Sequence, residues 1–177
     1  PRAAVLHEII RSQGDQELER SIAALWWSAL AAGLTMGLSL MGMGLLNSRL
    51  PDGDEFKVIA SFGYCAGFLA VILARQQLFT ENTLTAVLPV MTKPTLQNFG
   101  RLIRLWTVVL VGNLCGTILV AYVMLELPIF DTKTDHAFLE IGRKVMENHA
   151  SQMFAKGIVS GWMIATMVWM IPSMESA

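Results

Sequence analysis

A long apolar stretch that breaks in its middle is the feature that most constrains this chain. Val58 to Ala74 would cross most of a bilayer. Arg75-Gln76-Gln77-Leu78-Phe79-Thr80-Glu81-Asn82-Thr83 then interrupts it, and apolar character returns from Leu84 to Met91 with Pro89 inside. In hydrocarbon every backbone N–H and C=O needs an internal partner. Non-helical backbone at that depth therefore survives only when buried in protein or set against a watery cavity. Interrupted hydrophobic segments of this kind point to a permeation or binding site.

The remaining sequence places the break within a membrane protein. Apolar residues make up 54% of the chain and charged residues 15%, and neither Ser21 to Ser48 nor Leu105 to Leu125 contains a charged side chain. Gly157 to Met174 comes close to the minimum of roughly 17 residues for a span. An all-α integral membrane protein with one transmembrane domain over 1–177 follows. Its elements are a first span at 21–48, a broken second at 58–91 with a loop at 75–83, a third at 105–127 and a fourth at 150–174. Residues 1–20 set Val5, Leu6, Ile9 and Ile10 among Glu8, Arg11, Glu17 and Glu19, which suits an amphipathic helix at the bilayer interface. Trp26 and Trp27 favour the headgroup level. Asn47 to Lys57, with Pro51-Asp52-Gly53-Asp54, reads as a turn-rich connector. Glu126 to Ala150 reads as a longer polar one. The chain opens on Pro and closes at Ser176-Ala177, and it reads as a portion of something longer.

Several function classes are excluded. A formal net charge of −1, with the basic residues spread along the chain, gives no footprint for nucleic acid. No nucleophile, base and orienting group occur together, so an enzyme is not expected. Cys65 and Cys115 lie in apolar stretches and read as small packing residues, leaving no metal site and no cofactor. His7, His136 and His149 fall in polar segments and read as solvated. Lys and Arg divide six against six between the two sides of the membrane, so charge does not orient the chain.

Each membrane element carries glycines one turn apart: Gly33 and Gly37, Gly63 and Gly67, Gly112 and Gly116, Gly157 and Gly161. Such pairs strip side chains from one helix face and let backbones approach closely, so all four elements are expected to pack tightly.

Three strings, in this order, resemble the formate/nitrite transporter family. They are Leu78-Phe79-Thr80-Glu81-Asn82-Thr83 after a glycine-rich half-helix, Asn98-Phe99-Gly100 to Val111-Gly112-Asn113-Leu114-Cys115-Gly116, and Gly157-Ile158-Val159-Ser160-Gly161-Trp162 to Val168-Trp169-Met170. Within that family the chain is similar to a less characterised branch of bacterial inner-membrane proteins. The resemblance implies an aquaporin-like bundle of six spanning elements in two inverted repeats, of which the first repeat and the fourth helix are present. It also implies a homo-pentamer with a pore in each protomer, a small monovalent anion or its neutral weak acid as substrate, and a cytoplasmic N-terminus.

Carried onto this sequence, the family's pattern gives Phe68, Leu78, Phe79 and Thr80 as the pore constriction and loop. Tyr64, Arg75, Glu81 and Lys144 become vestibule residues. Arg75 would either raise the local potential for an entering anion or tie the loop's ends together through Glu81. Lys144 matches a lysine at the outer mouth, and Lys156 reads as an interfacial anchor. The chain departs from the family pattern at Ser160-Gly161, where a Cys-Asn pair is usual, and at Gln77, where an acidic residue is common. The family's central histidine belongs to a fifth helix beyond Ala177. A non-transporting protein of the same fold and a channel for water or neutral solutes are the competing readings.

Overall fold

The structure, a computed structural model, describes residues 3–51 and 53–175. Asp52 of the turn-rich connector lies outside them, as do Pro1, Arg2, Ser176 and Ala177. Every regular element among the described residues is helical: α1 Ala3–Glu19, α2 Ile22–Arg49, α3 Asp54–Phe62, α4 Cys65–Leu73, α5 Phe79–Asn82, α6 Val87–Thr92, α7 Leu96–Glu126, α8 Thr132–Met146 and α9 Ala150–Glu175. Four stretches are long and apolar enough to cross a membrane: Ile22–Arg49, Asp54–Leu73, Leu96–Glu126 and Ala150–Ser173. Side-chain caps start three of the helices. Ser21 Oγ accepts the Ala24 N–H at 3.3 Å, Thr95 Oγ1 accepts that of Asn98 at 3.1 Å, and Asp131 Oδ1 accepts that of Thr134 at 2.9 Å. Each supplies an acceptor to a first-turn N–H that has none inside its own helix.

The bundle is organised around α2 and α7, which run side by side in the same direction. A Cβ on Gly33 would collide with the backbone of Asn113, one on Gly116 with the Leu30 carbonyl, and one on Gly112 with the Ala29 side chain. Between apolar helices in lipid, such close approach supplies dispersion contacts that lipid cannot offer in the same measure. On the other side of α2, Gly63 sits against the backbone of Gly42, and the Gly67 N–H donates to Ser39 Oγ at 3.1 Å. The fourth glycine pair behaves differently. Gly157 and Gly161 meet nothing within 4 Å, and α9 is exposed from Ala150 to Met163. The tight packing expected of all four pairs is thus present within the chain at three of them.

Two further expectations are revised. The segment 126–150 is not merely a polar connector, because most of it is α8. Phe138, at 4% exposure, lays its ring over Gly44 of α2. The Thr134 hydroxyl donates to Ser48 Oγ at 3.0 Å, and Arg49 pairs with Asp131 at 2.6 Å. The Asp131 carboxyl is held below its ordinary value, first by the Thr134 backbone N–H, then by the Thr134 side chain and Arg49. The second revision concerns His7, read as solvated, which lies on α1, a helix that buries Ile10 and Leu18 in the protein itself. Gly14 seats against the Thr85 carbonyl and Pro89. Arg104 of α7 reaches back to donate to the Leu18 and Arg20 carbonyls at 2.7 and 3.0 Å, filling acceptors left open at a helix C-terminus. His7 is correspondingly half-buried, its ring 6.2 Å from that of Trp169.

Candidate functional site

The break in the second span opens with a helix stop. The Arg75 N–H donates to the Ile72 carbonyl and the Gln76 N–H to the Val71 carbonyl, both at 3.1 Å. This is the bonding pattern of a helix closed by one left-handed residue, a position glycine usually takes. Here it is Arg75, with φ of 49°. Phe79–Asn82 forms a single helical turn set between two non-helical stretches, Ala74 to Leu78 and Thr83 to Ala86.

Neighbouring helices satisfy this stretch with side-chain groups. The Gln77 N–H donates to Ser28 Oγ of α2 at 3.1 Å. Asn113, buried at the middle of α7, takes hold of three backbone groups. Its Oδ1 accepts the Phe79 N–H at 2.8 Å, and its Nδ2 donates to the carbonyls of Gln77 and Ala29, each at 2.9 Å. The reach is possible because Gly112 and Gly116 bring α7 against α2 on either side of Asn113. The Gln77 side chain is committed as well. Its Nε2 donates to Glu17 Oε2 of α1 at 2.9 Å, and its Oε1 accepts from Asn82 Nδ2 at 2.9 Å. Trp106 Nε1 closes the set on the Asn82 carbonyl at 3.2 Å. Buried polar groups are stabilising only when paired in this way, and the pairing holds Leu78 between two residues bound to the same amide.

The residues named from sequence fall in three places. The rings of Tyr64 and Phe68, on α4 and its lead-in turn, meet at 5.9 Å with a tilt of 47°; Tyr64 and Thr80 are exposed, while Phe68 and Leu78 are half-buried. Phe79, grouped with the constriction from sequence, turns inward instead. Its ring lies 6.1 Å from that of Trp106 and packs on the core of Leu25, Ala29, Leu105 and Val109, where it anchors the segment. Arg75 and Glu81 line a cavity of about 490 Å³ with Glu17, Gln76 and Gln77. The described ion pairs include none between Arg75 and Glu81, and the ties across the loop are made by amides.

Lys144 is set apart, at the opposite end of α2 from α1. It lines a cavity of about 620 Å³ with Lys57, Lys156, Asn148 and Ser160. Lys144 pairs with Glu140 and Lys57 with Asp54, each at 2.7 Å, and Lys144 holds the Glu140 carboxyl below its ordinary value. Lys156 donates at 2.5 Å to the neutral amide oxygen of Asn148, so its charge is not offset by that partner. The anchor of the sequence reading is therefore also a cation facing this cavity. No cluster of His, Cys, Asp or Glu among the described residues could hold a metal; Cys65 and Cys115 are exposed rather than packed within the chain.

Sequence reasoning missed the bracing residues Ser28, Gln77, Asn82 and Asn113 as site residues, and Glu17 with them. Their signal was available in part. A neutral polar side chain inside an uncharged apolar stretch, as with Ser28 and Asn113, has to find a partner on another element. Nothing in the pattern of α1 singles out Glu17.

A glycine-packed set of membrane-length helices around an interrupted, braced span defines an integral membrane protein. Its residues 4–177 match the model of the family described as Formate/nitrite transporter, and the chain belongs to that family. Over 176 residues it is 54% identical to the Inner membrane protein YfdC of Escherichia coli (strain K12), a match covering 99% of this chain and 57% of that relative. The chain thus spans little more than half the length of the relative.

Proposed function

We propose that the full-length protein passes a small monovalent anion, formate or nitrite in type, or its neutral weak acid, across a bacterial inner membrane. It would do so through a path in each protomer of a homo-pentamer with an aquaporin-like, inverted-repeat bundle. Family membership supports the class of solute. The observation that carries the reading is the loop itself. A break in a membrane-length helix, braced from behind at Gln77 and Phe79 and leaving Thr80 exposed, is a costly arrangement in lipid, and it makes sense where the open side faces a solute path.

In this reading the residues divide the work by chemistry. Lys57, Lys144 and Lys156 raise the local concentration of anions at the mouth, Lys156 most strongly because its partner is neutral. Phe68 and Leu78 form an apolar step that obstructs hydrated ions by dewetting, and the Thr80 hydroxyl exchanges hydrogen bonds with the passing solute. Uptake of formate and nitrite into vesicles containing the full-length protein tests this. Thr80→Val is expected to slow uptake about tenfold, the order expected when a charge-assisted hydrogen bond is lost. Lys156→Gln is expected to slow it at low salt and hardly at all at high salt, where the mouth is screened. Absence of uptake for every small anion, with the assembly intact, would reject transport in favour of a non-conducting member of the fold.

A further inference from the structure

We propose that Asn113 is a positioning residue for permeation: its amide fixes where Leu78 stands, and thereby sets the size of solute admitted. The inference rests on the transport reading above. Asn113 bonds the carbonyl of Gln77 and the N–H of Phe79, the two residues flanking Leu78, and with the same Nδ2 it holds Ala29 of α2. One planar side chain thereby fixes the backbone on both sides of Leu78 relative to the α2–α7 pair, which is closely packed at Gly33, Gly112 and Gly116. Leu78 has no helix of its own to hold it, because the helical turn starts at Phe79. The bonds Leu78 itself makes are local ones, its carbonyl accepting from Glu81, Asn82 and the Asn82 side chain.

Substitutions at Asn113 separate positioning from folding. Asn113→Asp keeps an acceptor for the Phe79 N–H but sets carboxylate oxygen against the Ala29 and Gln77 carbonyls. Asn113→Ser is too short to reach Ala29 and both sides of Leu78 at once. Each frees the loop on the Gln77 side and leaves the glycine contacts of α7 in place.

The test uses full-length protein in vesicles and compares uptake of formate with that of the bulkier lactate. The formate-to-lactate ratio is expected to fall about fivefold in Asn113→Ser and in Asn113→Asp, the factor corresponding to one net hydrogen bond. In a Leu78→Ala background the same substitutions are expected to leave the ratio where Leu78→Ala alone puts it, because both act through one side chain. A merely structural role would lower both rates in proportion, and an unchanged ratio in assembled protein overturns the proposal. A second measurement does not depend on transport. With every other cysteine of the full-length protein replaced by Ser, Cys65 and Cys115 among them, Leu78→Cys is labelled by a water-soluble thiol reagent, and Asn113→Ser is expected to change the labelling rate about fivefold. An unchanged rate overturns the positioning role. Wild-type protein that carries neither anion would remove the transport reading alone, and the labelling rate would still decide whether Asn113 fixes Leu78.

Discussion

At Arg75 the backbone takes a left-handed conformation, φ 49°, that costs an L-residue roughly 1–2 kcal/mol and glycine almost nothing. The cost is separable from whatever the guanidinium does, because Arg75→Gly and Arg75→Ala both delete it and differ in the strain retained and in the freedom of the unfolded chain. Glycine's greater freedom in the unfolded chain offsets part of the gain. Arg75→Gly is accordingly expected to be more stable than Arg75→Ala by about 1 kcal/mol, read as a higher midpoint of thermal unfolding in detergent. Equal midpoints would mean that the loop relaxes out of the left-handed region when the side chain goes. Charge cannot do this bracing work by itself. Glu17 and Glu81 share a cavity with Arg75, and the Glu17 carboxylate holds the Gln77 amide, while the amides of Asn82 and Asn113 supply donors and acceptors without the desolvation penalty of a buried ion.

Among the elements, α8 shows what a sequence conceals when its period is masked by polar residues. Its core contact is concentrated in Phe138 and Thr134, and between them lie Asp135, His136 and Ala137, so the segment reads as a connector until α2 is placed beneath it. The start signal was present at Asp131, a residue type that favours helix N-caps. The long spans were legible because length and absence of charge alone define them. The break was legible because polar residues interrupt an apolar run, whereas the point at which it starts depends on a helix stop at a residue other than glycine. Ser28 and Asn113 stood out as polar groups in apolar stretches, but which groups they hold was not legible, since α1, α2 and α7 supply the braces from positions far apart in the chain. The cap of α8 also carries a pH dependence. The Asp131 carboxyl is depressed from 3.8, so its contribution is fully present above that value and is lost as pH falls through the lower folded value. Asp131→Asn retains an acceptor but not the charge. Hydrogen exchange compared at matched pH is expected to show α8 better protected in the wild type than in Asp131→Asn near neutrality, with the difference vanishing in strong acid. A difference that persists in strong acid would assign the protection to something other than the carboxylate.

Taken whole, the molecule braces its loop from α1, α2 and α7 and exposes apolar side chains on each membrane-length helix, among them Leu38, Leu69 and Ile118. Tyr64, Leu73 and Thr80 lie exposed, and the first half of α9 stands clear with Phe154 at 73% and Trp162 at 72% exposure. Glycine inside a helix costs about 1 kcal/mol relative to alanine and is retained where backbones must approach. Gly33, Gly112 and Gly116 meet that need within the chain, whereas Gly157 and Gly161, one turn apart on α9, have nothing to pack against here. The match covers 57% of the relative; in the proposed assembly, sequence beyond this chain or a neighbouring protomer would meet that face. Gly161→Leu in full-length protein is therefore expected to destabilise by about 1–3 kcal/mol, as overfilling a tight contact does. Gly116→Leu, whose clash with the Leu30 carbonyl is already visible, is the reference for that effect. Thermal unfolding and the native mass in mild detergent would be read together: a loss of stability with the mass unchanged places the contact within a protomer, and a loss of mass places it between protomers. If α9 turns this face to lipid instead, leucine meets only acyl chains, and Gly161→Leu leaves both measurements at their wild-type values while Gly116→Leu does not.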